Sequence, residues 1–117
     1  MASLVNVLEG IIQYEFGETV TLTIVDDTGV AIDISAYDGT KEVTFRHKDG
    51  VTTPVTRTLS FAVAGADGKV TFTFASSNIT KAGDWTGQVK LRNSGETVIT
   101  FSEPFLMRVT RNIWQST

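Results

Sequence analysis

Lys69-Val70-Thr71-Phe72-Thr73-Phe74 decides the fold class, because Val70, Phe72 and Phe74 share one parity while Thr71 and Thr73 share the other. A period of two marks a half-buried strand, whereas a helix at about 3.6 residues per turn would scatter those side chains around its circumference. The same alternation recurs to either side. Thr19 to Val25 sets Val20, Leu22 and Ile24 against Thr19, Thr21 and Thr23, and Lys41 to Lys48 sets Val43, Phe45 and His47 against Thr44, Arg46 and Lys48. Thr56, Thr58 and Ser60 face away from Arg57, Leu59 and Phe61, with Pro54 marking the start or an edge. Trp85, Gly87, Val89 and Leu91 alternate with Thr86, Gln88, Lys90 and Arg92. β-Branched residues suit a pleated surface on both faces, which accounts for the threonine richness of the chain.

Turn chemistry separates these runs. Asp26-Asp27-Thr28-Gly29, Asp49-Gly50, Asp67-Gly68 and Asn93-Ser94-Gly95 combine side chains that cap their own backbone with glycine, which accepts positive φ. A short strand is expected over Val30 to Ile34, and Thr97 to Phe101 and Phe105 to Thr110 close the series. Pro104 breaks that last pair because it cannot donate to a ladder. Ala75 to Asp84 is the one stretch expected to form a helical turn. Strands without intervening helices read as an all-β, single-domain antiparallel β-sandwich of about seven to nine strands, with a closed barrel as the competing architecture. The expected core is Val20, Leu22, Ile24, Phe45, Val70, Phe72, Phe74, Trp85, Val89 and Leu91.

With 117 residues, the chain has room for one domain and buries enough surface to fold without staples. It has no cysteine and a single histidine, His47, which excludes thiol nucleophiles, disulfide frameworks and zinc sites of the Cys/His type. A net charge of −3 argues against a nucleic-acid partner. The stretch Leu4 to Phe16 is too short and too interrupted to span a membrane. Met1 to Asn6 lacks the layout of a secretory signal, so synthesis in a cytoplasm is expected.

Few groups offer chemistry. Asp26, Asp27, Asp33 and Asp38 could hold calcium, but they lack a recognised loop spacing and read more simply as turn and cap residues. His47 has no partner by sequence that would make it a general base. Arg46, Lys48, Lys90, Arg92 and Arg108 could form a basic stripe or a solvated face, and no aromatics interleave with them as single-stranded nucleic acid would require. Trp85 could stack on a sugar, yet it is in phase with core residues. Asn78-Ile79-Thr80 matches a glycosylation sequon, idle without secretion. No enzyme, no cofactor and no obligatory metal are expected.

The termini are richer. Leu4, Val5, Val7, Leu8 and Ile11 put apolar side chains on both parities, more than one buried face needs, and Ile113 and Trp114 repeat the excess at the other end. Apolar surface outside a core marks partner interfaces, so these seven residues are the candidate interface. The expected organisation is an arm or edge strand over 1–15, a sandwich over 16–110 and a tail over 111–117.

The succession Phe16-Gly17-Glu18-Thr19-Val20-Thr21-Leu22, Asp33-Ile34-Ser35, Val43-Thr44-Phe45-Arg46-His47-Lys48-Asp49-Gly50, Gly68-Lys69-Val70-Thr71-Phe72-Thr73-Phe74 and Ala82-Gly83-Asp84-Trp85-Thr86-Gly87-Gln88-Val89 resembles the immunoglobulin-like amino-terminal domain of phage upper baseplate proteins and related virion modules. The resemblance implies an immunoglobulin-like sandwich used for attachment, without catalysis. It further implies a virion component, capsid decoration or tail or baseplate subunit, present in multiple copies or as a homo-oligomer among other virion proteins. A carbohydrate- or receptor-binding module is the alternative expectation.

Overall fold

Each alternating run becomes a strand. The computed structural model describes residues 4–5 and 8–114, and its nine strands in chain order are β1 (Leu4–Val5), β2 (Leu8–Ile12), β3 (Thr19–Val25), β4 (Lys41–His47), β5 (Val55–Phe61), β6 (Lys69–Thr73), β7 (Gly83–Arg92), β8 (Ile99–Phe101) and β9 (Phe105–Thr110). No helix occurs among the described residues. One layer runs β1-β3-β6, the other β4-β7-β9-β2, with β8 also beside β7. β5 joins the layers at one side, because Val55 to Leu59 pair with β4 whereas Ser60 and Phe61 pair with β6. This is an all-β, sandwich-like arrangement in which the two strands of the amino-terminal segment, β1 and β2, go to different layers.

The layers close over one core. Leu22 and Ile24 of β3, Val70 and Phe72 of β6, and Phe45, Trp85, Val89 and Leu91 of β4 and β7 are all buried. Phe45 is its centre, with ring centroids 5.8 Å from Phe72, 5.4 Å from Phe74 and 5.8 Å from Phe105. Of the ten expected core residues only Val20 stays partly exposed. Cross-strand register explains a gap in the pattern: Phe45, Gly87 and Phe105 lie in one row across β4, β7 and β9, so the two rings close over a strand position with no side chain.

Polar groups brace the ends of β7. Trp85, fully buried, donates from its indole Nε1 to the Lys81 carbonyl at 3.0 Å and ties the β6–β7 connection to the core. At the break between β8 and β9, the Val89 amide donates to the Ser102 hydroxyl at 2.9 Å while the Ser102 amide donates to the Val89 carbonyl at 2.9 Å. The hydroxyl thus replaces a backbone acceptor where the strand bulges before Pro104. Among the described residues no buried side-chain nitrogen or oxygen lacks a partner.

Four expectations need correction. Val30 to Ile34 forms no strand; only an isolated bridge joins Ala31 to Val25, because Ile32 and Ile34 donate to different segments, the carbonyls of Ile24 and Gly65. Ala75 to Asp84 holds no helical turn: the Asn78 carboxamide accepts from the Ala75 amide at 2.7 Å and closes a tight turn, after which Gly83 and Asp84 enter β7. The sheet is not purely antiparallel, since β2 runs parallel to β9. Nor does the apolar excess on both parities of the arm require a partner. A bulge with Gly10 at φ +80° shifts register between Leu8, opposite Met107, and Ile11, opposite Val109, so residues of opposite parity face the same core.

Candidate functional site

Most of the candidate chemistry is spent inside the domain. The carboxylate of Asp26 accepts from the hydroxyl and amide of Thr28 and the amide of Val30, and that of Asp33 accepts from the hydroxyl and amide of Ser35. These bonds, the hydroxyl donors foremost, hold both carboxyls below the usual range. The Ser94 amide does the same for Asp38 across the connection between β7 and β8. Each loop acid is therefore a turn or cap residue. Among the described residues no group of three or more His, Cys, Asp or Glu could hold a metal ion.

His47 is buried edge-on against Trp85 at 5.2 Å. Its Nδ1 accepts from the Asp49 amide at 3.0 Å, which assigns the ring proton to Nε2, placed 2.9 Å from the Ala82 carbonyl. Both nitrogens are occupied by backbone. Asp49 in turn caps the turn after β4 through the Thr52 hydroxyl and the amides of Thr52 and Val51, which hold its carboxyl far below the ordinary value.

The outward basic residues do not form a single-sign stripe. Arg92 pairs with Glu42 at 3.1 Å, Lys90 lies opposite Glu42 and 5.6 Å from the Phe101 ring centre, and Arg108 lies opposite Asp84. Sequence reasoning gave Lys41 no role. This buried ammonium donates to the carbonyls of Tyr37 at 3.1 Å and Gly39 at 2.9 Å and sits 4.1 Å from the Phe61 ring centre, while burial pushes its pKa down. Its parity with Val43 and Phe45 was the available signal.

The interface residues expected at the termini divide into two groups. Val5 and Leu8 bury their side chains in this domain's core and Ile11 packs partly against it. Leu4 joins β1 opposite Val25, and Val7 lies outside the described residues. Ile113 and Trp114 are different, at 90% and 91% exposed. Just before them Asn112 is fixed to the strand end: its side-chain amide donates to the Gln13 carbonyl at 3.0 Å, and its own carboxamide oxygen accepts from the Trp114 amide at 2.8 Å. Residues 112–114 are held in a bend that leaves both large side chains bare.

A second feature escaped the sequence. β6 covers one edge of β3 over Thr19 to Thr23, and on the other edge β1 covers only Ile24 and Val25. Beside Thr19 to Leu22, where no described strand pairs on that second side, an apolar groove of about 270 Å³ opens between the layers, lined by Leu8, Ile11, Phe16, Val20 and Phe74. Phe16 stands on its rim at 60% exposed, with Glu18 close by. No local alternation reveals such a groove, because it depends on where the arm crosses between layers. No model of a known protein family matches the chain, and no curated protein is significantly similar to it.

Proposed function

We propose that the chain is a structural subunit of a virion, a capsid decoration or a tail or baseplate component, which is made in the host cytoplasm and acts in multiple copies by binding other virion proteins. It works without catalysis, cofactor, nucleic acid or membrane. The observation that carries this reading is the adjacent pair Ile113 and Trp114, the two most exposed large hydrophobics among the described residues, next to the anchored Asn112. Adjacent large apolar side chains that form one exposed patch point to a covering partner, and aromatic anchors dominate such contacts. The resemblance of the sequence order to phage baseplate domains supports the same role. A sugar-binding role finds less support, since the indole of Trp85, its candidate platform, is fully buried. The test is to band particles from the source culture on a density gradient and to probe the fractions with antibody against the chain. The proposal expects signal in the particle band at fixed ratio to a major structural protein; signal confined to the soluble fractions overturns it.

A further inference from the structure

Charge is distributed unevenly along the chain. All ten basic residues lie at Lys41 or beyond, while seven of the thirteen acidic residues precede it, among them Glu15 and Glu18 at the groove. From Phe105 to Thr117 there are two arginines, Arg108 and Arg111, and no acid. Neither Glu18 nor Arg111 makes an ion pair among the described residues. The groove is thus apolar with an acidic rim, and the tail is apolar with a basic root.

Resting on the assembly reading above, we propose that the groove between β2 and β3 receives the tail of a second copy of this chain, with Ile113 and Trp114 filling the apolar gap and Arg111 meeting Glu18. Three features favour this occupant. The groove, at about 270 Å³, is smaller than the roughly 300–1,000 Å³ typical of small-ligand sites and suits one or two side chains. Among the described residues nothing pairs with Thr19 to Thr21 on this side, so their backbone groups are open to an entering segment, with side chains setting the choice of partner. Asn112 is tied to Gln13 and bends back to the Trp114 amide, and Ile113 and Trp114 stay exposed rather than lining the chain's own groove. Because the groove and the tail are different surfaces, two copies can exchange tails in a closed dimer, or the contact can run head to tail into a ring or a filament.

Sedimentation velocity of the full chain over a concentration series tests this, with thermal melts confirming that each variant is folded. Wild type should sediment faster with concentration, and less so at high salt. Trp114→Ala, Arg111→Glu and Glu18→Lys should each weaken association by about tenfold or more, as loss of an interface anchor or of a charge match does. Glu18→Lys combined with Arg111→Glu should recover much of the loss. Trp114→Ala keeps its groove and Glu18→Lys keeps its tail, so an equimolar mixture of the two should form dimers and go no further. A wild type that stays monomeric throughout, or association indifferent to these changes, overturns the inference. A monomeric chain that still bands with particles overturns self-docking and spares the virion reading; a self-associating chain absent from particles does the reverse.

Discussion

Gly87→Ala should destabilise the domain by about 2 kcal/mol, although it replaces glycine in a strand by a residue with better intrinsic behaviour. The added Cβ would stand 2.6 Å from Cζ of Phe105 and 2.8 and 2.9 Å from Cε1 and Cδ1 of Phe45. Ordinary carbon contacts lie at about 3.5–4.0 Å, so one or both rings must retreat by about 1 Å. Phe45 has no room, being fully buried and packed on Phe72 and Phe74. Phe105, at the end of β9, must take most of the shift. Overpacking of this kind costs about 1–3 kcal/mol, here near the top of that range because two rings are met at under 3 Å, and the lower backbone entropy of alanine in the unfolded chain returns about 0.5–1 kcal/mol, which leaves a net of about 2 kcal/mol. Urea denaturation should show a lower midpoint at unchanged slope, with a melting temperature lower by roughly 6–12 °C for a domain of this size. In a Phe105→Ala background the same substitution should cost clearly less, because one of the two obstructing rings is gone and Phe45 can turn into the space it leaves. A Gly87→Ala protein as stable as wild type, or an equal penalty in both backgrounds, would refute the argument that this glycine exists to let two rings close over β7.

Other outcomes follow from the same packing. Phe72→Ala removes a buried ring that contacts both Phe45 and Phe74 and should cost about 3–5 kcal/mol by denaturant titration; near-wild-type stability would contradict the shared aromatic core. Ser102→Ala strands the Val89 amide at the bulge and should cost about 1–3 kcal/mol, with faster amide exchange at Val89 as its local signature. Asp26, Asp33, Asp38 and Asp49 all have folded-state pKa values below the unfolded value, so their contribution is present above about pH 4 and is lost as pH falls through the folded values. Melting temperature should therefore hold from pH 7 to 5 and fall below pH 4, more shallowly in Asp49→Asn; a melt at pH 3 matching that at pH 6 would show that these turn bonds contribute nothing.

Much of the fold is legible in the sequence because alternation reports which face of a strand is buried. That logic places Phe45, Val70, Phe72, Trp85 and Val89 correctly in the core. Alternation is silent about partners, so the parallel pairing of β2 with β9 and the sharing of β5 between layers are not visible in it. It also fails where one extra residue resets the phase, as at Gly10, and there a buried edge strand imitates a sticky arm. The exposed half of the candidate site, Ile113 and Trp114, was readable because hydrophobicity beyond the last strand has no core to enter. The groove was not, because its lining comes from β2, β3, the turn at Phe16 and the residue after β6, whose juxtaposition exists only once the layers close.

Assembly, rather than a part in the fold, is the role proposed for the bare Ile113 and Trp114. Its most direct test compares wild type with an Ile113→Ala, Trp114→Ala double variant, both expressed in the source host, by quantifying each chain in gradient-banded particles. Both side chains are about nine-tenths exposed, so the two proteins should melt together, while the variant is depleted from particles by about tenfold or more. Equal incorporation of a normally folded variant would contradict the claim.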